Sequence, residues 1–308
     1  MATTNPVIYQ ALWENKLAQR LDKPQNWKEI CDVVFTDTQT YNFPLVSTSN
    51  EPAVATLTNT AAGRSTLSNV IPFIGVTETN ETLSIVTAEI DSVYMDYADQ
   101  AQSNYAKMAD MGALLGKKIN ERAEAIALGL IATAKSTSVG GTDFGDTGGG
   151  VLGLASTAIT VSATNVDDII RGVIEQTYTA NGFNLYNENG GFIVWRPADW
   201  TFVVQFMQAN GFNMADAALK SGGTIGMDFM GLYHYVSTGH TAGHLAAGVR
   251  KVQKLGILSH ARCKTYVAEM PASTTAGSMS GTQIHTRLDW GGLVPTNLQP
   301  VLFDVNVA

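Results

Sequence analysis

The chain has 308 residues and a net charge of -8, and charged residues make up 15% of it against 45% hydrophobic ones. The apolar share supports a sizeable core, and a surface this poor in charge loses little desolvation energy when it is buried against a partner. No run of Lys and Arg is present to grip a phosphate backbone, which excludes tight nucleic-acid binding.

Residues 1–6 show no basic stretch followed by an apolar one, so no signal peptide is predicted there, and a soluble protein made in a cytoplasm is expected. Residues 1–50 read as an arm. Leu12, Trp13, Leu17 and Leu21 predict a short amphipathic helix over 9–21, ended by Pro24. Beyond it Val33, Val34, Phe35, Tyr41, Phe43, Leu45 and Val46 are scattered among polar residues. Such a segment has no local second layer and is expected to lie on something else, a neighbouring subunit included. Residues 51–95 are rich in Thr, Val and Ile and predict a hairpin with strands over about 53–60 and 82–95. Its tip carries Leu67, Val70, Ile71, Phe73 and Ile74, too apolar for a solvated loop.

From 97 to about 134, Ala101, Tyr105, Met108, Gly112, Leu115, Ile119, Ala123, Ile126 and Leu130 recur at steps of 3 or 4, which is one helix face. Lys107, Asp110, Lys117, Lys118, Glu121 and Glu124 fall mostly off it. A helix of about 30 residues is about 45 Å long, and with a single apolar face it is expected to back a sheet or bundle. Its most apolar stretch, 123–134, is shorter than the roughly 20 residues a bilayer crossing needs.

A glycine-rich stretch over 140–153 has no apolar period and reads as a flexible linker. After it come a helix over 166–179, a short buried strand over 191–195 and a helix over 197–208 with Pro at its start. A strand or hairpin over 226–236 is predicted to bend at Gly231. Residues 251–270 mix helix and strand signals. Residues 283–305 read as extended, with a break at Trp290-Gly291-Gly292. The mixture is α+β.

Motifs that carry chemistry are weak. Residues 148–153 match G-x-G-x-x-G, but a dinucleotide loop needs a strand before it and a helix after it, and neither is predicted here. Asp143 and Asp146 are too few oxygens for a calcium ion. His240 and His244 are four apart, yet Gly239, Gly243 and Gly248 argue against a helix that would present both to a zinc ion; a polar loop is the better reading. Residues 277–281 lack the strand-to-helix turn of a nucleophile elbow. Cys31 and Cys263 form no C-x-x-C pair and read as free, buried thiols. No catalytic residue, cofactor site or metal site is assigned. The rival of another class, a small metal enzyme, would use His240 and His244 with Asp228.

The order of elements carries a resemblance. An arm, a long hairpin, a very long helix, a compact α/β unit and a returning strand resemble the Hong Kong 97-like fold of tailed-bacteriophage major capsid proteins. Residues 91–130, from Asp91-Ser92-Val93-Tyr94 to Gly129-Leu130, are similar to that family's passage from hairpin into spine helix. Phe192-Ile193-Val194-Trp195-Arg196-Pro197 resembles its strand, Pro turn and helix, and Gly226-Met227-Asp228-Phe229-Met230-Gly231 its glycine-punctuated strand.

The resemblance implies an N-terminal arm over 1–50 and an extended hairpin loop over 51–95. It implies a peripheral domain with the spine helix over 96–164, an axial domain over 165–270, and a return to the peripheral domain over 271–308. It further implies self-assembly in hexamers and pentamers into an icosahedral shell around double-stranded DNA held by weak contact only. Portal and scaffold proteins, and a decoration protein, would be the partners, with assembly in the host cytoplasm and no membrane. Trp13, Phe43, Leu67, Ile71 and Phe73 would touch neighbouring subunits. Gly112 and Gly116 would let the spine helix bend, because glycine weakens a helix. No Lys lies between Lys28 and Lys107, so a Lys–Asn crosslink cannot use this hairpin. No fused scaffold or protease is expected ahead of the arm. An encapsulin-like compartment with the same fold is the alternative.

Overall fold

A single long helix organises the chain. The computed structural model describes residues 26–46, 78–96, 107–134, 144–148, 151–154, 157–211, 227–240, 242–270 and 281–308. In chain order they form α1 (Trp27–Ile30), β1 (Asp32–Thr36), β2 (Thr40–Val46), β3 (Glu78–Ser84), β4 (Thr87–Asp96), α2 (Lys107–Ala134), β5 (Phe144–Gly148) and β6 (Val151–Leu154). There follow α3 (Val166–Thr179), α4 (Phe183–Asn189), β7 (Gly191–Trp195), α5 (Pro197–Ala209), β8 (Met227–Phe229), β9 (Leu232–Val236) and β10 (His244–Val249). The last elements are β11 (Lys254–Met270), β12 (Gly281–Leu293), a 3-10 turn η1 (Thr296–Val301) and β13 (Leu302–Asn306).

Helix α2 has 28 residues, about 42 Å at 1.5 Å per residue. Its first half lies along a four-stranded sheet of order β1-β11-β12-β4. The expected face is the buried one: Leu115, Ile119, Ala123 and Ile126 pack inward. Arg122 meets Glu89 at 3.2 Å and Lys118 meets Asp91 at 2.8 Å, while Met111 and Val93 join Leu115 and Ile284. Residue numbers fall along the helix as they rise along β4, so the two run antiparallel. Near its C-terminus the helix becomes a wedge. Ile126 and Ala127 stay with Trp27 of α1 and with Leu255 and Leu288 of the first sheet, while Leu128 and Ile131 enter the core of a second one.

The second sheet has seven strands in the order β6-β5-β13-β10-β7-β9-β8. Both faces are covered, which explains why β7 is an uninterrupted buried run, Gly-Phe-Ile-Val-Trp. On one face Ile169, Ile170 and Val173 of α3 and Val203 and Met207 of α5 pack against Ile193, Trp195, Phe303 and Val305. On the other, Ile30, Leu128, Ile131 and Val301 pack against Phe192, Val194 and Tyr235. The hairpin of β8 and β9 turns on Met230 (φ 51°) and Gly231 (φ 82°), the two left-handed residues that a tight I′ turn requires.

Several expectations are corrected. Residues 26–36 do not wait for a neighbour: Trp27, Ile30 and Cys31 are buried, and β1 adds in parallel to β11. The hairpin's strands differ too. Strand β3 pairs with β2, from Thr40↔Ser84 to Val46↔Glu78, and residues 82–95 split at Ile85-Val86 between this ribbon and β4, which pairs with β12. The glycine-rich linker is in part a hairpin, β5 with β6, and β5 docks in parallel on β13 at Val305↔Phe144. Residues 254–270 are one strand, because β12 pairs with both of its ends, Lys254–Ile257 and 264–270, across an irregular stretch between them. No break occurs at 290–292; β12 runs straight through.

The two sheets also cut across the expected division at 165 and 270. Strands β5, β6 and β13 belong to the seven-stranded sheet, and β11 belongs to the four-stranded one. Position 13 and the helix over 9–21, the strand over 53–60, the hairpin tip, residues 97–106 and residues 271–280 lie outside the described residues.

Candidate assembly surface

The β2–β3 ribbon is moored to the four-stranded sheet at its base. Leu83 and Ile85 are buried, and Ile85 packs on Leu258. The chain crosses the sheet where two glycines leave room. A Cβ on Gly256 would come within 2.6 Å of Leu83 Cδ2, and one on Gly291 within 2.1 Å of the Ser84 carbonyl oxygen. Gly292 faces the other way, where a Cβ would lie 2.2 Å from Leu130 Cδ2 of α2. The Glu81 carboxylate fixes the ribbon from the side by accepting the Thr296 N–H at 3.0 Å.

Phe43, a predicted contact residue, sits on β2, half-buried. Its ring lies 4.7 Å from that of Tyr41, and Lys254 Nζ hangs 5.7 Å above it. Trp13, Leu67, Ile71 and Phe73 lie outside the described residues. Large apolar side chains are exposed on the first sheet and its ribbon: Phe35, Tyr41, Val86, Ile90, Tyr94 and Val267. On the second sheet's helical side Tyr178 and Phe183 are exposed with their rings 5.5 Å apart.

Gly112 and Gly116 both lie within α2, which is continuous through them. A Cβ on Gly116 meets nothing within 4 Å. Gly116→Ala is therefore expected to raise the unfolding free energy by about 0.5–1 kcal/mol, as the unfolded chain loses freedom and the helix gains a better former. The readout is a higher urea midpoint at unchanged m-value.

The candidate chemistry does not come together. Among the described residues no group of three His, Cys, Asp or Glu is placed to hold a metal ion, and no helix is long and apolar enough to cross a membrane. His244 starts β10 with Nδ1 3.0 Å from Asp304 Oδ2, while Asp228 is on β8, with β7 and β9 between the two strands. His240 lies in the turn before β10 near Arg196 and Asp199, and burial pushes its pKa down to about 4. Residues 148–153 fall on the β5–β6 hairpin, so no helix N-terminus follows the glycines. Cys31 is a free, buried thiol pushed well above its ordinary range by burial. The side chain of Cys263, and Asp143, lie outside the described residues.

The sequence gives no hint of His234. It is fully enclosed, accepts the Trp195 Nε1–H on Nδ1 at 2.8 Å and donates from Nε2 to the Phe229 carbonyl at 2.9 Å. Burial pushes its pKa down to about 4, against a smaller upward pull from the Phe229 carbonyl. A depressed histidine pKa means that the unfolded chain binds the extra proton. The stability it supports is present above about pH 6.5 and is lost as pH falls toward about 4, with a slope approaching 1.4 kcal/mol per pH unit. His234→Gln, which can keep one acceptor and one donor, is expected to flatten this acid limb in urea titrations at stepped pH. An unchanged slope would contradict the assignment.

No protein family model and no curated protein matches the chain. Solved structures do. A structure from Mycobacterium phage Che8 matches with a TM-score of 0.67 at 13% identity, over 98% of this chain and 98% of that one. The capsid of cyanophage P-SCSP1u matches at 0.62 and 11% identity, over 98% and 93% of the two chains. The capsid of a native GTA particle matches at 0.59 and 13% identity, over 100% of both. The fold is that of phage capsid chains. The likeness spans the long helix and both sheets, so the expected likeness to phage capsid proteins and the α+β class hold at the level of the fold. At such identities it does not pass from residue to residue, and the exposed side chains of this surface are this chain's own.

Proposed function

We propose that the chain is the major capsid protein of a tailed bacteriophage, a structural protein with the Hong Kong 97-like arrangement. In this reading many copies, as hexamers and pentamers, close into an icosahedral shell around double-stranded DNA. The observation that carries it is the whole-chain match in fold to phage capsid chains, with neither partner of the comparison leaving a domain over. The surface agrees. Charge is sparse, and burying exposed apolar area returns about 25 cal/mol per Å², a gain multiplied over several neighbours.

The four-stranded sheet with α2 serves as the peripheral domain and the seven-stranded sheet as the core of the axial one. The expected spans become 32–36, 87–134 and 254–293 for the first, and 144–249 with 302–306 for the second. Residues 1–25 act as the arm. The ribbon and the residues between its strands act as the extended loop, with Trp13, Phe43, Leu67, Ile71 and Phe73 touching neighbours. Gly112 and Gly116 are the bend points of the helix. A net charge of -8 keeps the lining from gripping the packaged genome. Assembly takes place in the host cytoplasm with portal and scaffold proteins, and a decoration protein completes the outside. The test is electron microscopy of the expressed chain, with and without co-expressed scaffold. Closed particles of uniform size are expected. A monomer that stays monomeric at high concentration under both conditions overturns the reading.

A further inference from the structure

Strand β4 lies at the edge of its sheet, and among the described residues nothing pairs with its outer side. Edge strands are normally defended by lysine, proline, bulges or inward charges. This one has no Lys and no Pro, and it pairs with β12 without a register shift over ten positions, from Thr87↔Trp290 to Asp96↔Gly281. Its interior acids, Glu89 and Asp91, are turned to α2 and held by Arg122 and Lys118. Alternation puts Ala88, Ile90, Ser92 and Tyr94 on the opposite face, uncharged, with Ile90 58% and Tyr94 42% exposed. The edge is long and without a register shift, and its open face carries no charge from Ala88 to Tyr94.

We propose that β4 pairs antiparallel with β4 of a second copy across a two-fold axis at Ser92, joining two four-stranded sheets into one. The sequence of the strand selects both partner and register. A two-fold relation within a continuous sheet keeps like faces together, so a residue must sit on the axis. With Asp91 there, two carboxylates face each other. With Val93 there, Ile90 opposes Asp96. With Ser92 there, Ile90 opposes Tyr94 twice, Asp91 opposes Val93 and Glu89 opposes Met95. Apolar and aromatic pairs directly opposite stabilise a sheet, and like charges there destabilise it. The contact is isologous, as most two-fold interfaces are. It rests on the capsid reading for its supply of identical neighbours, and it names one of the surfaces they share.

Ser92→Cys tests it. Opposed residues have Cβ atoms about 4.5–5.5 Å apart, close to disulfide reach. Ala88→Cys is the register control, because its two copies would stand about 26 Å apart along the strands. Under mild oxidation of assembled material, S92C is expected to run mainly as a disulfide-linked dimer, with A88C and the parent chain monomeric. Amide exchange over residues 87–96 of the parent chain is expected to slow at least tenfold on assembly. Closed particles with no S92C dimer and no slowing overturn the pairing, as does equal linking of A88C. A dimer without closed particles upholds the pairing and rejects the shell. Neither dimer nor particles rejects both.

Discussion

Glu124→Ala is expected to lower the unfolding free energy by about 3 kcal/mol, an unusually large loss for one surface-charged residue type. Glu124 is on α2 but only 2% exposed. One carboxylate oxygen accepts the Asn26 N–H at 2.7 Å and the Trp27 N–H at 2.8 Å, and the other accepts Asn26 Nδ2 at 3.2 Å. Asn26 Nδ2 also reaches the Val236 carbonyl at 3.0 Å, and the Ser237 hydroxyl bonds to the carboxylate. Glu124 thus serves as the N-terminal cap of α1, supplied from 97 residues away, and it ties the entering chain to α2 and to the end of β9. Alanine would strand two buried backbone donors, each costing about 1–3 kcal/mol, offset in part by no longer burying a carboxylate. Glu124→Gln keeps an acceptor for the backbone and should cost about 1 kcal/mol.

The pH dependence gives a second check. Burial raises the Glu124 pKa above 4.5, while Ser237, Trp27 and Asn26 pull it back. A raised carboxyl pKa means that the folded state holds the proton more tightly. The stability tied to that shift is complete below 4.5 and is lost as pH rises through the folded pKa. The advantage of the parent chain over E124Q should shrink as pH rises through that window, read from urea midpoints at stepped pH. An alanine variant within 0.5 kcal/mol of the parent, or a gap that widens with pH, would remove the cap from the account.

Glu124 also shows where sequence reasoning stops. Spacing along α2 identifies Leu115, Ile119, Ala123 and Ile126 as the buried face, because that pattern is written in one local stretch. It assigns Glu124 to the polar side, because what buries it is a segment nearly a hundred residues earlier. Elements whose signals are local are legible for the same reason: α3, with two aspartates in its first turn, β7, bounded by Gly and Pro, and the Met230-Gly231 turn. Strand β11 is not, since its composition is undecided and its pairing with β12 settles it. The glycines of 144–154 look like slack but make an edge hairpin. For the assembly surface, the apolar residues of 33–46 were visible and their fate was not: Val33 goes into the core, and Phe43 is shared between its own chain and solvent. That β4 is an edge depends on strand order, which no window of sequence encodes.

Gly291→Ala is the second large effect, expected to cost about 3 kcal/mol, at the upper end for overpacking. The nearest atoms to its Cβ would be the Ser84 carbonyl oxygen at 2.1 Å, the Ser84 carbonyl carbon at 2.8 Å and Ile85 Cα at 3.1 Å. All are backbone, so no rotamer change relieves the overlap, and the crossing segment must lift off β12. Leu83 and Ile85 would then leave their places over Gly256, and the bond from Ile85 N to Gln39 O, 2.8 Å in the parent, would loosen. Gly256→Ala meets only the ends of the Leu83 and Ile85 side chains, at 2.6 and 3.0 Å, and should cost about half as much. The sign is itself diagnostic. At an open strand position with ordinary φ, glycine to alanine stabilises by about 0.4–1 kcal/mol through the unfolded chain. A lower urea midpoint for G291A, with faster exchange of the Ile85 amide, ties the cost to the crossing. If the capsid reading holds, the same variant should misplace the ribbon and reduce the yield of closed particles, whereas G116A, in open space on the helix, should not lower stability at all.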